Sequence, residues 1–330
     1  MNSTREPSTM LATVRSCVGE DLARVERLFD EELRSDLQCV NQLTRHVSRF
    51  RGKMLRPTLL LLTARAVGRV EPAHITLATV VEMVHMATLV HDDVLDDAEM
   101  RRKGATINHL RGNEAAVLLG DFLISHAFHL CSSLESQFAS RFIGQTTNRV
   151  CEGELLQNAN RANLDLTEET YFQIIRLKTA ALIGACGLLG AKFAGAGPDV
   201  VEAMRTFGES LGIAFQVQDD LLDLLGDPHT VGKTLGQDIE KSKLTLPLIH
   251  FLHDAPREHR SLLRSLLRGG EPDKVEKIRN LILPSRSIAY ARDAARVHID
   301  RARAALAVLP SGEAASVLAS MAEFVISREV

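Results

Sequence analysis

Almost every segment of this 330-residue chain repeats its apolar residues with a period near 3.6 rather than two. Good helix formers are abundant, and no pair of alternating segments marks a convincing hairpin. The pattern predicts helices over 9–34, 37–49, 54–69, 72–97, 113–135, 138–159, 168–194, 199–225, 243–253, 257–267, 271–282, 287–308 and 312–327. Pro72 suits a first helical position. Asn113 and Thr167 suit caps, and Glu168-Glu169 suit the positive end of the helix they begin. Gly195-Ala196-Gly197-Pro198 stops one helix and starts the next. No internal stretch reads as an interdomain linker. The expectation is therefore one all-α domain over 1–330, with 1–10 as a loose N-terminal tail.

Composition narrows the classes further. Trp is absent and aromatic residues make up only 4%, so the core must be built from Leu, Val, Ile, Ala and Met. The net charge of −3, without a basic run interleaved with aromatics, argues against a nucleic-acid partner. Five cysteines, odd in number and never in CxxC spacing, argue for a reducing compartment and against zinc or a disulfide frame. Met1–Met10 is polar and lacks the apolar core of a secretory signal. A cytoplasmic location is expected. No apolar run reaches the ~18 residues of a membrane span, so Leu59–Leu62 is expected in a buried helix.

Two aspartate triplets of one design end apolar helical stretches: Asp92-Asp93-Val94-Leu95-Asp96 and Asp219-Asp220-Leu221-Leu222-Asp223. Residues i and i+4 share a helix face, so Asp92 aligns with Asp96 and Asp219 with Asp223. Stacked carboxylates repel unless cations are bound. Mg²⁺ takes oxygen ligands and favours carboxylates together with substrate phosphates. The working expectation is a diphosphate held by magnesium between two helices.

Such a ligand also needs arginine and lysine, and these stand nearby in sequence. Arg101-Arg102 follow the first triplet, and Lys53 and Arg56 precede a helix start. Lys178-Thr179 lies inside an apolar helix, and His85 lies two turns before Asp92 on the same face. The segment from Gly226 to Gly236 carries Lys233 between glycines, as a closing lid would, and Lys243 follows. Each feature alone has an ordinary reading. A mid-helix lysine snorkels, paired arginines answer a helix C-terminus, a histidine packs in a core, and a Gly-flanked lysine sits in a surface loop. A single acidic helix end is also common; two of them with neighbouring cations are not.

Taken in order, these residues resemble the trans-prenyl diphosphate synthases, most strongly from Gly52 to Pro247. The resemblance rests on Gly52-Lys53-x-x-Arg56-Pro57, Glu82-x-x-His85 running into His91 and the first triplet, Met100-Arg101-Arg102 and Gly120-Asp121-Phe122. It continues through Lys178-Thr179, Phe215-Gln216 before the second triplet, Gly232-Lys233 and Lys243-x-Thr245-Leu246-Pro247. Within that family the chain looks closest to long-chain, octaprenyl-like members. The resemblance implies an isoprenoid-synthase-type helical bundle with a central cavity, acting as a homodimer. It implies that Asp92, Asp93 and Asp96 hold two Mg²⁺ ions and that Asp219, supported by Asp220 and Asp223, holds a third. Arg101, Lys178, Lys233 and Lys243 would bind the allylic diphosphate, with Thr179 and Gln216 at the reacting centre. Gly52, Lys53, Arg56, His85 and Arg102 would bind isopentenyl diphosphate. Two positions depart from the family. Ser242 stands where glycine usually precedes the last lysine, and Lys103 separates Arg102 from Gly104.

Chain length is read from the stripe Val81, Val84, Thr88 and Asp92. Short-chain members commonly place an aromatic one turn below the first triplet. Here Ala87 and Thr88 are small, which predicts a deep tunnel and a product of C30 to C40, with Leu123, Phe122 or Phe128 as candidates for a deeper floor. So apolar a product also suggests peripheral membrane contact at release. The alternatives are a C15–C20 synthase, a class I terpene cyclase and a non-catalytic partner subunit. The isopentenyl diphosphate residues and the scarcity of aromatics disfavour the cyclase. Two intact triplets disfavour the partner subunit.

Overall fold

The computed structural model describes residues 5–49, 52–101, 104–226, 236–271 and 273–327. The order is α1 (Arg5–Glu32), α2 (Gln38–Arg49), α3 (Leu55–Val67), α4 (Pro72–Leu95), β1 (Met100–Arg101), β2 (Gly104–Ala105), α5 (Ile107–Arg111), α6 (Asn113–Ser132) and α7 (Gln137–Ala159). It continues with α8 (Glu168–Ile175), a π-helical turn (Arg176–Ala180), α9 (Ala181–Phe193), α10 (Pro198–Leu225), α11 (Gln237–Glu240), α12 (Leu246–Asp254) and α13 (Arg257–Arg268). Last come α14 (Lys274–Ile282), α15 (Ser287–Ala305), a 3₁₀ turn (Leu306–Val308) and α16 (Glu313–Ser327).

The all-α expectation holds. Differences from the sequence reading are local. Helix α1 already begins at Arg5, inside the stretch expected as a loose tail. The helix expected from 243 begins at Leu246, because Thr245 before it is extended, at φ −103° and ψ 166°, and Pro247 suits a first turn. A two-residue antiparallel ladder pairs Met100 with Ala105 and Arg101 with Gly104. This ladder, α5 and α11 are all too short to show an apolar period.

The described chain packs as two compact units. The first comprises Met1–Thr147, Leu182–Arg205 and Leu306–Ser320. Leu59, Leu60, Leu61 and Leu62 of α3 are completely buried in it, each contributing about 2 kcal/mol of transfer free energy. Helix α4 packs along α6, α3 and α1. Its start is fixed through both nitrogens of one ring: the Glu71 amide donates to His74 Nδ1 at 2.8 Å, and His74 Nε2 donates to the Gly190 carbonyl at 3.1 Å. That pairing assigns a neutral ring, and burial lowers the His74 pKa accordingly. Glycines allow two tight approaches. A Cβ on Gly190 would lie 2.5 Å from the Leu60 carbonyl, and one on Gly187 would lie 2.1 Å from the Met204 carbonyl.

The second unit comprises Asn148–Ala181, Thr206–Ala305 and Met321–Val330. Its core gathers Tyr171, Ile175, Val217, Leu221, Leu224, Leu246, Phe251, Leu263 and Ile278. Val217, Leu221 and Leu224 form one face of α10. Gln216, Asp219 and Asp223 are thereby left on a half-exposed flank.

Among the described residues, three helical stretches are long and apolar enough to cross a membrane: Pro72–Leu95, Asn113–Ser132 and Glu168–Phe193. Counting apolar runs alone missed them. The first and third bury 72% and 78% of their apolar windows inside the protein, against 39% for the second.

Candidate active site

The first triplet occupies the last turn of α4. His85, Thr88, Asp92 and Asp96 form one half-buried stripe on a helix whose other faces are mostly buried. Asp93 lies off that stripe and is buried. Its Oδ1 accepts from Arg101 Nε at 2.6 Å. Asn108 Nδ2 donates to the carbonyls of Asp93 and Ala98, both at 3.1 Å. Asp97 adopts φ 47°, which ends the helix and turns the chain toward the ladder. Arg101 is therefore tied back to the triplet it follows.

Of the isopentenyl diphosphate candidates, Gly52 and Lys53 precede α3, Arg56 lies in its first turn and His85 lies on α4; Lys53 is exposed and the rest are half-buried. Met54 between them is left-handed, at φ 51°. Arg56 and buried Glu82 both act on Cys186 of α9, whose thiol is pushed to about 12 by burial, eased by Arg56 and raised further by Glu82. Arg102 lies outside the described residues.

The chain-length residues come out differently from the expected tunnel lining. Val81, Val84 and Ala87 have no accessible surface, so they border no open shaft in this conformation. Thr88 is half-buried, and its hydroxyl donates to the His85 carbonyl at 2.8 Å. Leu123 is fully buried, Phe122 lies against His126 with centroids 4.3 Å apart and the rings tilted by 48°, and Phe128 is exposed.

The second triplet, in the second unit, repeats the pattern of the first. Asp219 and Asp223 are half-exposed and Asp220 is buried. Asp220 Oδ2 accepts from the Tyr171 hydroxyl at 2.7 Å, and Oδ1 accepts from Gln216 Nε2 at 2.9 Å. Gln216 Oε1 in turn accepts from the Thr179 hydroxyl at 2.9 Å. Thr179 and Lys178 sit in the π turn, a wide turn often found where a helix carries function. Gly153 of α7 makes room for it, since a Cβ there would lie 2.5 Å from the Lys178 amide nitrogen. Lys178 Nζ pairs with Glu154.

Asp223 caps α11. Its Oδ1 and Oδ2 accept from the amides of Gln237 and Asp238 at 3.3 and 3.0 Å. Lys243 Nζ donates to Asp238 Oδ1 at 3.0 Å. Burial pushes Asp220 up to about 7, partly offset by Lys243. Burial and Asp238 push Asp223 up to about 6. Burial opposes the charge on Lys243, yet Asp238, Asp220 and Asp223 outweigh it and hold the ammonium firmly protonated. Lys233 lies outside the described residues, as does 227–235 of the expected lid.

This donor set fits a divalent cation that arrives with its substrate. Among the described residues no three His, Cys, Asp or Glu side chains converge into a complete cage. Mg²⁺ needs none, since it is commonly held by one or two carboxylates plus phosphate oxygens and water.

The sequence reading did not single out Tyr171, Glu154, Asp238 or the π turn. Tyr171 could have been flagged as one of only two tyrosines in the chain, standing seven residues before Lys178.

An all-helical chain with two acidic helix ends, each beside its own arginine or lysine, is equipped to handle a phosphorylated substrate. Comparison with known proteins gives that class its family. The profile of the polyprenyl synthetase family matches residues 37–283. The octaprenyl diphosphate synthase of Escherichia coli (strain K12) is 37% identical over 320 residues, covering 97% of this chain and 99% of that one. A decaprenyl diphosphate synthase structure from Rhodobacter capsulatus superposes with a TM-score of 0.90 at 36% identity, covering 96% of this chain and 98% of that chain. A polyprenyl synthase from Caulobacter crescentus CB15, complexed with calcium and isoprenyl diphosphate, gives 0.90 at 34% identity over 97% and 98% of the two chains. The chain belongs to the polyprenyl synthetase family and is a prenyltransferase.

Proposed function

We propose that this prenyltransferase condenses isopentenyl diphosphate with an allylic prenyl diphosphate in the trans configuration, giving a long-chain product of C30 to C40. The observation that carries the reading is likeness over nearly the whole chain to an octaprenyl diphosphate synthase. The small Thr88, one turn below Asp92 on its half-buried stripe, supports it.

Asp92, Asp96 and Asp219, with Asp223, would hold about three Mg²⁺ ions together with the allylic diphosphate. Bound magnesium supplies positive charge that stabilises the departing diphosphate. Asp93 and Asp220 orient their neighbours. Lys178, Lys243, Arg101 and the undescribed Lys233 share the diphosphate charge. Gly52, Lys53, Arg56, His85 and the undescribed Arg102 bind isopentenyl diphosphate. Thr179 and Gln216 face the reacting carbon, while Phe215 and the apolar walls keep out water that would quench an allylic cation. The proton lost after condensation goes to the released pyrophosphate, so no side chain serves as general base.

The enzyme works as a cytoplasmic homodimer. Exposed Val117, Leu118 and Phe128 on α6 offer apolar surface for a second copy, and the long product is handed over at a membrane surface.

The test is chromatography of products made by the purified chain from farnesyl and geranylgeranyl diphosphates with labelled isopentenyl diphosphate and Mg²⁺. C30–C40 diphosphates support the reading. Products stopping at C20 would make it a short-chain synthase. Hydrocarbon from farnesyl diphosphate alone would make it a cyclase, and an inactive chain rescued by a second subunit would make it a partner.

A further inference from the structure

The structure assigns Tyr171 a positioning role: through Asp220 its buried hydroxyl sets which end of the Gln216 amide faces Thr179. In both triplets the second aspartate is buried and already bonded, whereas the first and last are half-exposed. At the second triplet the bonding is complete and directional. Tyr171 donates to one Asp220 oxygen and Gln216 Nε2 to the other. With both Asp220 oxygens engaged as acceptors, the amide nitrogen is held on the carboxylate's side. The amide oxygen is thereby turned to the Thr179 hydroxyl. Without Tyr171, Asp220 keeps one protein donor and can rotate about its terminal torsion, a broad and soft coordinate. Gln216 then loses the fixed acceptor that decides its flip. Tyr171 is 3% exposed and its ring is held edge-on by Phe172 at 5.4 Å, so its hydroxyl is built into the core rather than borrowed from solvent. Asp220 on this view aligns Gln216 and Thr179 and is not itself a metal ligand.

The role rests on the assignment of Thr179 and Gln216 to the reacting centre, and the tests separate the two. Tyr171→Phe removes a single oxygen and keeps the packed ring; Asp220→Asn keeps the shape but places an NH₂ against one of the two donors. Both should shift the Gln216 side-chain amide resonances in free protein labelled with ¹⁵N-glutamine. Tyr171→Phe should lower kcat about tenfold, as loss of one orienting hydrogen bond does, with KM for both diphosphates held within about twofold. Mn²⁺ binding in the presence of inorganic pyrophosphate, followed by paramagnetic resonance, should keep its stoichiometry in both variants and fall by about one ion in Asp219→Asn. Tyr171→Phe combined with Thr179→Val should be no slower than Thr179→Val alone, because the two act through one chain of contacts. An unmoved Gln216 amide, multiplicative effects in the double variant, or loss of an Mn²⁺ ion in Asp220→Asn would overturn the assignment. If the wild type forms no prenyl product, the proposed function falls, while the amide shift still decides the tether.

Discussion

Arg101 donates its Nε–H to Asp93 at 2.6 Å, so the cation that follows the first triplet is anchored by that triplet's own middle carboxylate. The side chain of Asp93 is 8% exposed and that of Arg101 33%. One aspartate therefore shapes the loop while its neighbours on the stripe stay accessible.

The two positions should separate stability from activity. Asp93→Ala leaves Arg101 without this acceptor and should cost about 1–3 kcal/mol in urea unfolding. Asp92→Ala should leave unfolding nearly unchanged and lower kcat by roughly a hundredfold or more, as loss of electrostatic stabilisation in a transition state does. Equal stability losses would show that Asp92 is structural too.

Glycine substitutions should sort by what the new methyl group meets. Gly187→Ala drives a Cβ to 2.1 Å from a backbone carbonyl, that of Met204. Backbone yields poorly, so a cost of about 2–3 kcal/mol is expected. Gly120→Ala meets the end of the His91 ring at 2.1 Å. The ring can swing away, giving up its 3.1 Å bond to the Val117 carbonyl, and thermal unfolding should shift less than for Gly187→Ala.

Acidification should weaken the fold partly through His74. Burial places its folded pKa below the unfolded value of about 6.5. Above that value both states are neutral and no penalty arises. As pH falls through it the unfolded chain binds a proton first, so stability declines until the folded ring also titrates. Between pH 7.5 and 5.5, wild type should lose more stability than His74→Gln, by up to about 1.4 kcal/mol per pH unit. Parallel profiles would remove His74 from the account.

Product length should respond to Thr88 more cleanly than to Ala87. Ala87 is fully buried, so Ala87→Tyr would overpack the first unit's core. Thr88 is half-buried, and Thr88→Phe should shorten the prenyl product while the protein stays folded. An unchanged product distribution from a folded, active variant would remove this position from length control.

The helices were legible in the sequence because their apolar faces are long and regular, as the prediction of 72–97 against the observed Pro72–Leu95 illustrates. The acidic and basic candidates were legible because charges on apolar helices stand out. The turn at Ser242 was half legible. The glycine usual in the family at this position pointed to an unusual backbone, and Ser242 does take φ 55°. Burial was not legible. Periodicity places Asp92 and Asp93 one residue apart without saying that one is core and the other surface. The π turn was invisible, because residues 180–191 after it are buried on every side, which leaves no apolar stripe whose phase an extra residue could shift. Tyr171 was missed for the opposite reason: a tyrosine on a predicted apolar face reads as packing until its hydroxyl is seen against Asp220.

The chain has no tryptophan and two tyrosines, Tyr171 and Tyr290, and both phenols donate to carboxylates, those of Asp220 and Glu168. All near-ultraviolet phenol absorption and emission therefore comes from two rings, one at the candidate centre and one away from it. With Tyr290 replaced by Phe, the protein would carry a single native optical reporter, wired to the second acidic motif without any added dye.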